Sequence, residues 1–302
     1  MTRPRSRDSE RLLLAGGLLV LALSMPPLPW PRASFDYLAV FDITQSMGVA
    51  DYRQHGRPLS RLAFARHAMA LALAELPCGS KLGLAAFTGY RSLTLLAPVE
   101  VCDHYGDLLS TLDQIDDRMR WAEASEVAKG LYWALRAARD VGGEPQLLFF
   151  SDGHESPPLQ GAVPAPFGDI RPGEIRGLVI GTGGDVARPI PKQDAPGHFS
   201  GVWQADEVIQ RTNAVQHEEH LSALREGHLQ ALAARTGLDY VRLEGVAGLS
   251  RAMRSSARAR VRDVPTDFAW VALGLALAML CATPLGTLFS RRAGTASIQQ
   301  QA

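Results

Sequence analysis

Short apolar runs alternate with helix-period stripes through the middle of the chain, and a longer uncharged run stands near each end. Tyr37-Leu38-Ala39-Val40-Phe41 is continuously apolar over the length of a strand, the pattern of a buried parallel strand. Ser60 can cap a helix whose Leu62, Ala65, Met69, Ala72, Leu73 and Leu76 fall on one face. Lys81–Phe87 and Ser92–Val99 read as two strands joined by Thr88-Gly89-Tyr90-Arg91, a hairpin signal. Val127, Leu131, Ala134, Leu135 and Ala138 mark a second amphipathic helix. Gln146–Phe150, Arg176–Ile180 and Tyr240–Leu243 are further strands, the last after a helix expected around His220–Arg235. Strands interleaved with helices predict an α/β domain, doubly wound around a mostly parallel sheet with one antiparallel edge strand. Residues 183–215 are rich in Pro, Gly and polar groups and read as the longest irregular stretch; no internal repeat is visible.

The terminal runs predict flanking transmembrane helices. Leu12–Met25 is uncharged and follows Arg3, Arg5, Arg7 and Arg11, but reaches the length of a span only if continued through Pro26-Pro27-Leu28-Pro29-Trp30. With Ala22-Leu23-Ser24 as a small-residue cleavage site, the same stretch reads as a signal peptide. Phe268–Phe289 carries no charge over 22 residues and precedes Arg291 and Arg292. The chain then divides into a cytoplasmic N-terminus and anchor (1–30), a soluble domain (31–264), a C-terminal transmembrane helix (268–289) and a cytoplasmic tail (290–302). The arginines before Leu12 place the soluble domain in the periplasm, on the outer side of the inner membrane. Arg251, Arg254, Arg258, Arg260 and Arg262 oppose that orientation unless they form the solvated face of the last soluble helix.

Composition narrows the function. Lys and Arg number 31, as do Asp and Glu, so the basic excess of a general nucleic-acid binder is missing. With 46% hydrophobic residues the chain has material for a core. Three cysteines without a CxxC exclude a disulfide scaffold and give no zinc spacing. Neither HExxH, nor a GxSxG elbow, nor a P-loop occurs.

The candidate chemistry lies where strands end. The first strand runs into Asp42-Ile43-Thr44-Gln45-Ser46 and the fourth into Ser151-Asp152-Gly153. Ligands of open α/β sheets bind at such carboxyl ends, near the switch point. One carboxylate and two hydroxyls at alternate positions suit a hard divalent cation; they also suit a turn that bonds its own backbone. Ser125 opens the helix before the fourth strand, as a ligand or as an N-cap.

This order and spacing resemble the von Willebrand factor A-type domain with its metal-ion-dependent adhesion site, over roughly residues 35–245. The resemblance implies Asp42, Thr44, Ser46, Ser125 and Asp152 as metal ligands, with Thr44 in place of a serine and Ser125 in place of a threonine. It further implies Mg2+, or Mn2+ or Ca2+, and a partner protein that supplies an Asp or Glu carboxylate to the metal. Such a site binds and does not cleave, so no enzyme is expected. The alternatives are a membrane-anchored metallohydrolase using Asp42, Asp152 and His154, and a metal-free scaffold.

Five segments carry a narrower likeness: Asp42–Met47, Leu76–Ser80, Pro98–Cys102, Ser125–Leu131 and Ser151–Glu155. They look like parts of the membrane-anchored A-domain proteins encoded with bacterial methanol dehydrogenase, as do Pro189–Lys192 and Trp203–Glu207. That Mxa-type group is associated with maturation of a periplasmic quinoprotein, and related proteins accompany MoxR-type AAA+ ATPases. The likeness implies a role in assembly or metal insertion, with methanol dehydrogenase or a MoxR-system protein as partner.

Cys78 precedes the first hairpin strand and Cys102 follows the second, so antiparallel pairing brings them to one end. They can form a disulfide in an oxidising compartment, or remain two small thiols.

Overall fold

The computed structural model describes residues 7–161, 163–164, 168–195, 197–212 and 218–294, and it divides into two compact units. One is Ala33–Val261; the other joins Met1–Arg32 to Arg262–Ala302.

The first unit is built on a six-stranded mixed sheet: Asp36–Asp42 (β1), Lys81–Thr88 (β2), Arg91–Glu100 (β3), Gln146–Ser151 (β4), Gly177–Gly181 (β5) and Asp239–Arg242 (β6). Their order across the sheet is β3-β2-β1-β4-β5-β6, parallel throughout except for β3, the antiparallel edge. The sheet winds outward from β1 in both directions, so its switch point lies between β1 and β4. Every residue of β1 is buried, which explains its unbroken apolar run. Five helices cover the sheet: Arg61–Ala74 (α1), Tyr105–Gln114 (α2), Val127–Asp140 (α3), Glu226–Thr236 (α4) and Val246–Met253 (α5). Strand alternation divides the core in two. Tyr37, Ala39 and Phe41 pack with Leu62, Met69, Leu108 and Leu249 of α1, α2 and α5. Leu38 and Val40 point the other way, among Val127, Leu131, Leu229 and Leu232 of α3 and α4.

Several expectations are corrected. The stretch 183–215 is only partly irregular: no helix or strand forms over 203–212, but short strands lie within 188–202. Arg188–Pro189 pairs with Leu221–Ser222, and Pro191–Ala195 with His198–Val202, in short antiparallel ribbons. Leu221 therefore belongs to a strand, and the helix expected around His220–Arg235 begins at Glu226. Nor do the five arginines share a helix face. Arg251 lies in α5, Arg258 in a 3-10 turn and Arg260 in a strand. Arg258 bonds the carbonyl of Gly177, and Arg260 those of Gly143 and Glu144, so they tie this segment to the start of β5 and to the turn before β4. Cys78 and Cys102 are joined by a disulfide across the base of the hairpin, with Cα atoms 5.3 Å apart.

In the second unit the helices Arg7–Ser24 and Ala269–Gly294 pack together. Ala15, Ala272 and Ala276 are buried, whereas Leu13, Leu19, Leu23, Leu273 and Leu277 are exposed. The first helix stops at Ser24, and Leu28–Ser34 is an extended strand paired with Arg260–Thr266. The prolines at 26, 27, 29 and 31 cannot continue a helix. Trp30, expected to complete a span at the membrane interface, instead meets Phe268 edge-on at 5.4 Å. Among the described residues no helix is long and apolar enough to cross a membrane, so the predicted flanking transmembrane helices are not supported. Arg7–Ser24 has 18 residues, and Arg7, Asp8, Glu10 and Arg11 occupy its first turns. The ends of the chain, including the tail beyond Gly294, lie outside the described residues.

Candidate metal centre

The carboxyl ends of β1 and β4 are neighbours in the sheet, and the loops that leave them meet. Asp42 is the last residue of β1 and is fully buried. One of its oxygens, Oδ1, accepts the Thr44 amide at 3.0 Å and the Thr44 hydroxyl at 2.6 Å. The other, Oδ2, accepts Ser151 Oγ at 2.7 Å. Thr44 Oγ1 lies 3.2 Å from Ser46 Oγ, which donates at 3.2 Å to Oδ1 of the equally buried Asp152. An unbroken polar chain thus runs from Asp42 through Thr44 and Ser46 to Asp152. Gly153 follows at φ +75°, a left-handed turn that aims its amide at Ser151 Oγ.

Ser125 arrives from the segment before α3, pinned by paired backbone bonds to Ser156 at 2.6 and 2.7 Å. Its hydroxyl is buried, has no hydrogen-bond partner among the described residues, and lines the same cavity as Thr44 and Ser46. It is no N-cap. The first amides of α3, Val127 and Ala128, bond instead to Glu155 at 2.9 and 3.0 Å. The five residues singled out from sequence are therefore brought together in one place.

Arg61 was not singled out from sequence, and it is the largest fully buried side chain among the described residues. It opens α1 behind the Ser60 cap, and its Nη1 reaches Asp152 Oδ2 at 2.5 Å and Ser222 Oγ at 2.7 Å. Its Nε and Nη2 hold Asp51 Oδ2 at 3.0 and 2.8 Å. Burial alone would raise the Asp152 pKa, but Arg61, then His154, hold it below the usual carboxylate range. Asp42 has no such partner. Burial and then the nearby Asp152 charge push its pKa up to about 7, against the donors from Thr44 and Ser151. His154 is buried too, and burial lowers its pKa.

These residues fit a hard dication. Two carboxylates, only one of them countered by an arginine, stand with three hydroxyls, one unpartnered; this is an all-oxygen donor set short of positive charge. Arg61 occupies only Oδ2 of Asp152. Asp42, Thr44, Ser46, Ser125 and Asp152 are the residues that would hold the ion.

Comparison with known proteins agrees with the fold. Residues 37–154 match the family model of the von Willebrand factor type A domain, and the chain carries an α/β fold of that kind. No curated protein matches the sequence. Among solved structures, an aerotolerance-related membrane protein from Bacteroides fragilis is 18% identical, with a TM-score of 0.50, over 73% of this chain and 96% of that one. A membrane-spanning protein from Vibrio fischeri is 17% identical over 72% and 95% of the two chains, with a TM-score of 0.30. A von Willebrand factor type A protein from Catenulispora acidiphila is 13% identical over 76% and 50%, with a TM-score of 0.39.

Proposed function

We propose that this chain is a membrane-associated, metal-dependent protein-binding module. The observation that carries the reading is the buried, unpartnered Ser125 hydroxyl, which shares a cavity with Thr44 and Ser46 above two buried carboxylates. A hydroxyl left so costs about 1–3 kcal/mol unless something fills the place. A bound Mg2+, Mn2+ or Ca2+ would supply an electrophilic seat for a partner's Asp or Glu carboxylate. The chain's own residues orient that seat: Ser151 and Thr44 fix Asp42, while Arg61 and Ser222 fix the far oxygen of Asp152. His154 Nδ1 is buried without a hydrogen-bond partner among the described residues.

Membrane association is supported by the inverted pattern of the terminal helices, with small residues inside and leucines outside, as in helix pairs that face lipid. An envelope-facing domain is supported by the Cys78–Cys102 disulfide, a bond of oxidising compartments. Assembly of a quinoprotein dehydrogenase such as methanol dehydrogenase, within a MoxR-type system, is the client role favoured by the segments resembling the Mxa-type proteins. The test is capture from envelope extract on the immobilised full-length chain. A protein held in Mg2+, released by EDTA and absent from an Asp42→Ala column is expected. Retention indifferent to EDTA would contradict the reading.

A further inference from the structure

Between β5 and α4, the residues around Ile190, Pro191 and Trp203 stand over the candidate centre and are fastened to the loop that carries Thr44 and Ser46. Pro191 approaches so closely that a Cβ added at Gly48 would meet its Cγ at 2.8 Å. The Ile190 amide bonds His220 O at 3.1 Å, and the Trp203 amide bonds Ile190 O at 3.0 Å. Trp203 Nε1 donates to Gln45 Oε1 at 2.6 Å, and the Gln45 amide group in turn donates to Glu123. Gln45 lies between the two candidate ligands Thr44 and Ser46, so the wall is tied to the site at its centre.

Between wall and loop lies a cavity of about 270 Å³. Thr44, Ser46, Ser125 and His154 give it polar groups; Ile190, Trp203 and Ile209 line it with apolar surface. Ligand pockets commonly span about 300–1,000 Å³, so this one is small. A helix about 10–12 Å across would not enter, whereas one or two side chains of an extended segment would. Two buried atoms in it, Ser125 Oγ and His154 Nδ1, have no partner among the described residues. Three glutamates line it and each is paired, Glu123 with Arg120, Glu207 with Lys192, and Glu219 with Arg211 and Arg225. Discrimination is therefore left to the apolar wall. That wall continues outward, because Ile209 is 65% exposed. A small free acid would leave this outer surface uncovered; a peptide would cover it.

We propose that the cavity selects an extended segment of a partner protein in which an acidic residue is flanked by a large aliphatic one, the carboxylate over Thr44, Ser46 and Ser125 and the aliphatic side chain against Ile190, Trp203 and Ile209. The proposal rests on the metal-dependent reading above, and its test separates the two. Blocked hexapeptides with a central Asp or Asn, flanked by Leu or Gly, are titrated against the full-length chain in detergent with Mg2+; Mg2+ alone is titrated in parallel. The Asp-Leu peptide is expected to bind about tenfold or more tighter than Asp-Gly, and Asn in place of Asp to abolish binding. Ile209→Ser is expected to shrink the Leu preference while leaving Mg2+ affinity unchanged; Ile209 is exposed, so its replacement does not endanger folding. Equal binding of Asp-Leu and Asp-Gly, or competition by acetate as strong as by peptide, would overturn this inference with the metal site intact. Absence of Mg2+ binding by the wild type would overturn both readings.

Discussion

The loops at the ends of β1 and β4 and the pair of terminal helices depart from globular patterning in opposite ways. The first region buries what normally faces water: Asp42, Asp152 and Arg61 are all withdrawn from solvent, together with the hydroxyls of Thr44, Ser46, Ser125, Ser151 and Ser222. The second exposes what normally hides, with leucines outside and alanines inside. Each departure costs stability in water on its own. On the reading proposed above the difference is one of kind: the buried site would take up a cation, whereas the helix pair would take up apolar surroundings.

Breaking the internal charge pairing should have the largest effect. Arg61→Met leaves Asp152 and Asp51 buried without their cation, and a loss of about 3–5 kcal/mol in urea unfolding is expected. A loss below about 1 kcal/mol would show that the arginine is incidental. On the other side of the comparison, Leu277→Asp should hardly move the stability of a water-facing surface, within about 0.5 kcal/mol. Against lipid the same change costs about 2.5–3.5 kcal/mol, and carbonate extraction should then release the variant from the membrane fraction while wild type stays.

The pH dependence of the metal-free chain sharpens the contrast between the two carboxylates. Asp42 has a folded pKa of about 7, above its unfolded value near 4, so the folded state binds the extra proton. Its contribution to stability should fall as pH rises from about 4 to about 7, by at most about 1.4 kcal/mol per pH unit, and level off above; buried His154, whose pKa is lowered, contributes in the opposite sense, so the Asp42 contribution is read as the difference between wild type and Asp42→Asn. Asp152 is shifted downward, so its contribution is present above pH 4 and lost only in stronger acid. Saturating Mg2+ should remove the Asp42 contribution between pH 4 and 7; an unchanged contribution would place the ion elsewhere. The smallest effect is expected from Thr44→Ser, which retains the oxygen that bonds Asp42 and should change Mg2+ affinity no more than about twofold.

Much of this was legible in the sequence because it is local. The buried run of β1, the hairpin of β2 and β3, and the two Asp-ended strands follow from spacing alone, and Thr44 and Ser46 lie within four residues of Asp42. What escaped notice depends on long-range partners. Arg61 meets Asp152 across 91 residues and Ser222 across 161, and nothing beside Arg61 distinguishes it from a surface arginine at a helix start. Glu155 caps α3 from another segment, which could not be read from the residues around Ser125. Strand pairs in 188–222 are short and rich in Pro and Gly, so they left no alternation to find; Trp203 amid polar neighbours was the available signal. At the N-terminus the apolar count was right, but prolines stop the helix before the length of a span is reached.

The most direct test is a calorimetric Mg2+ titration of the full-length chain beside its Asp42→Ala and Ser125→Ala variants, each checked for unchanged secondary structure. The account predicts one saturable site in wild type, no measurable binding in Asp42→Ala and at least tenfold weaker binding in Ser125→Ala. Equal affinity in all three proteins would contradict it.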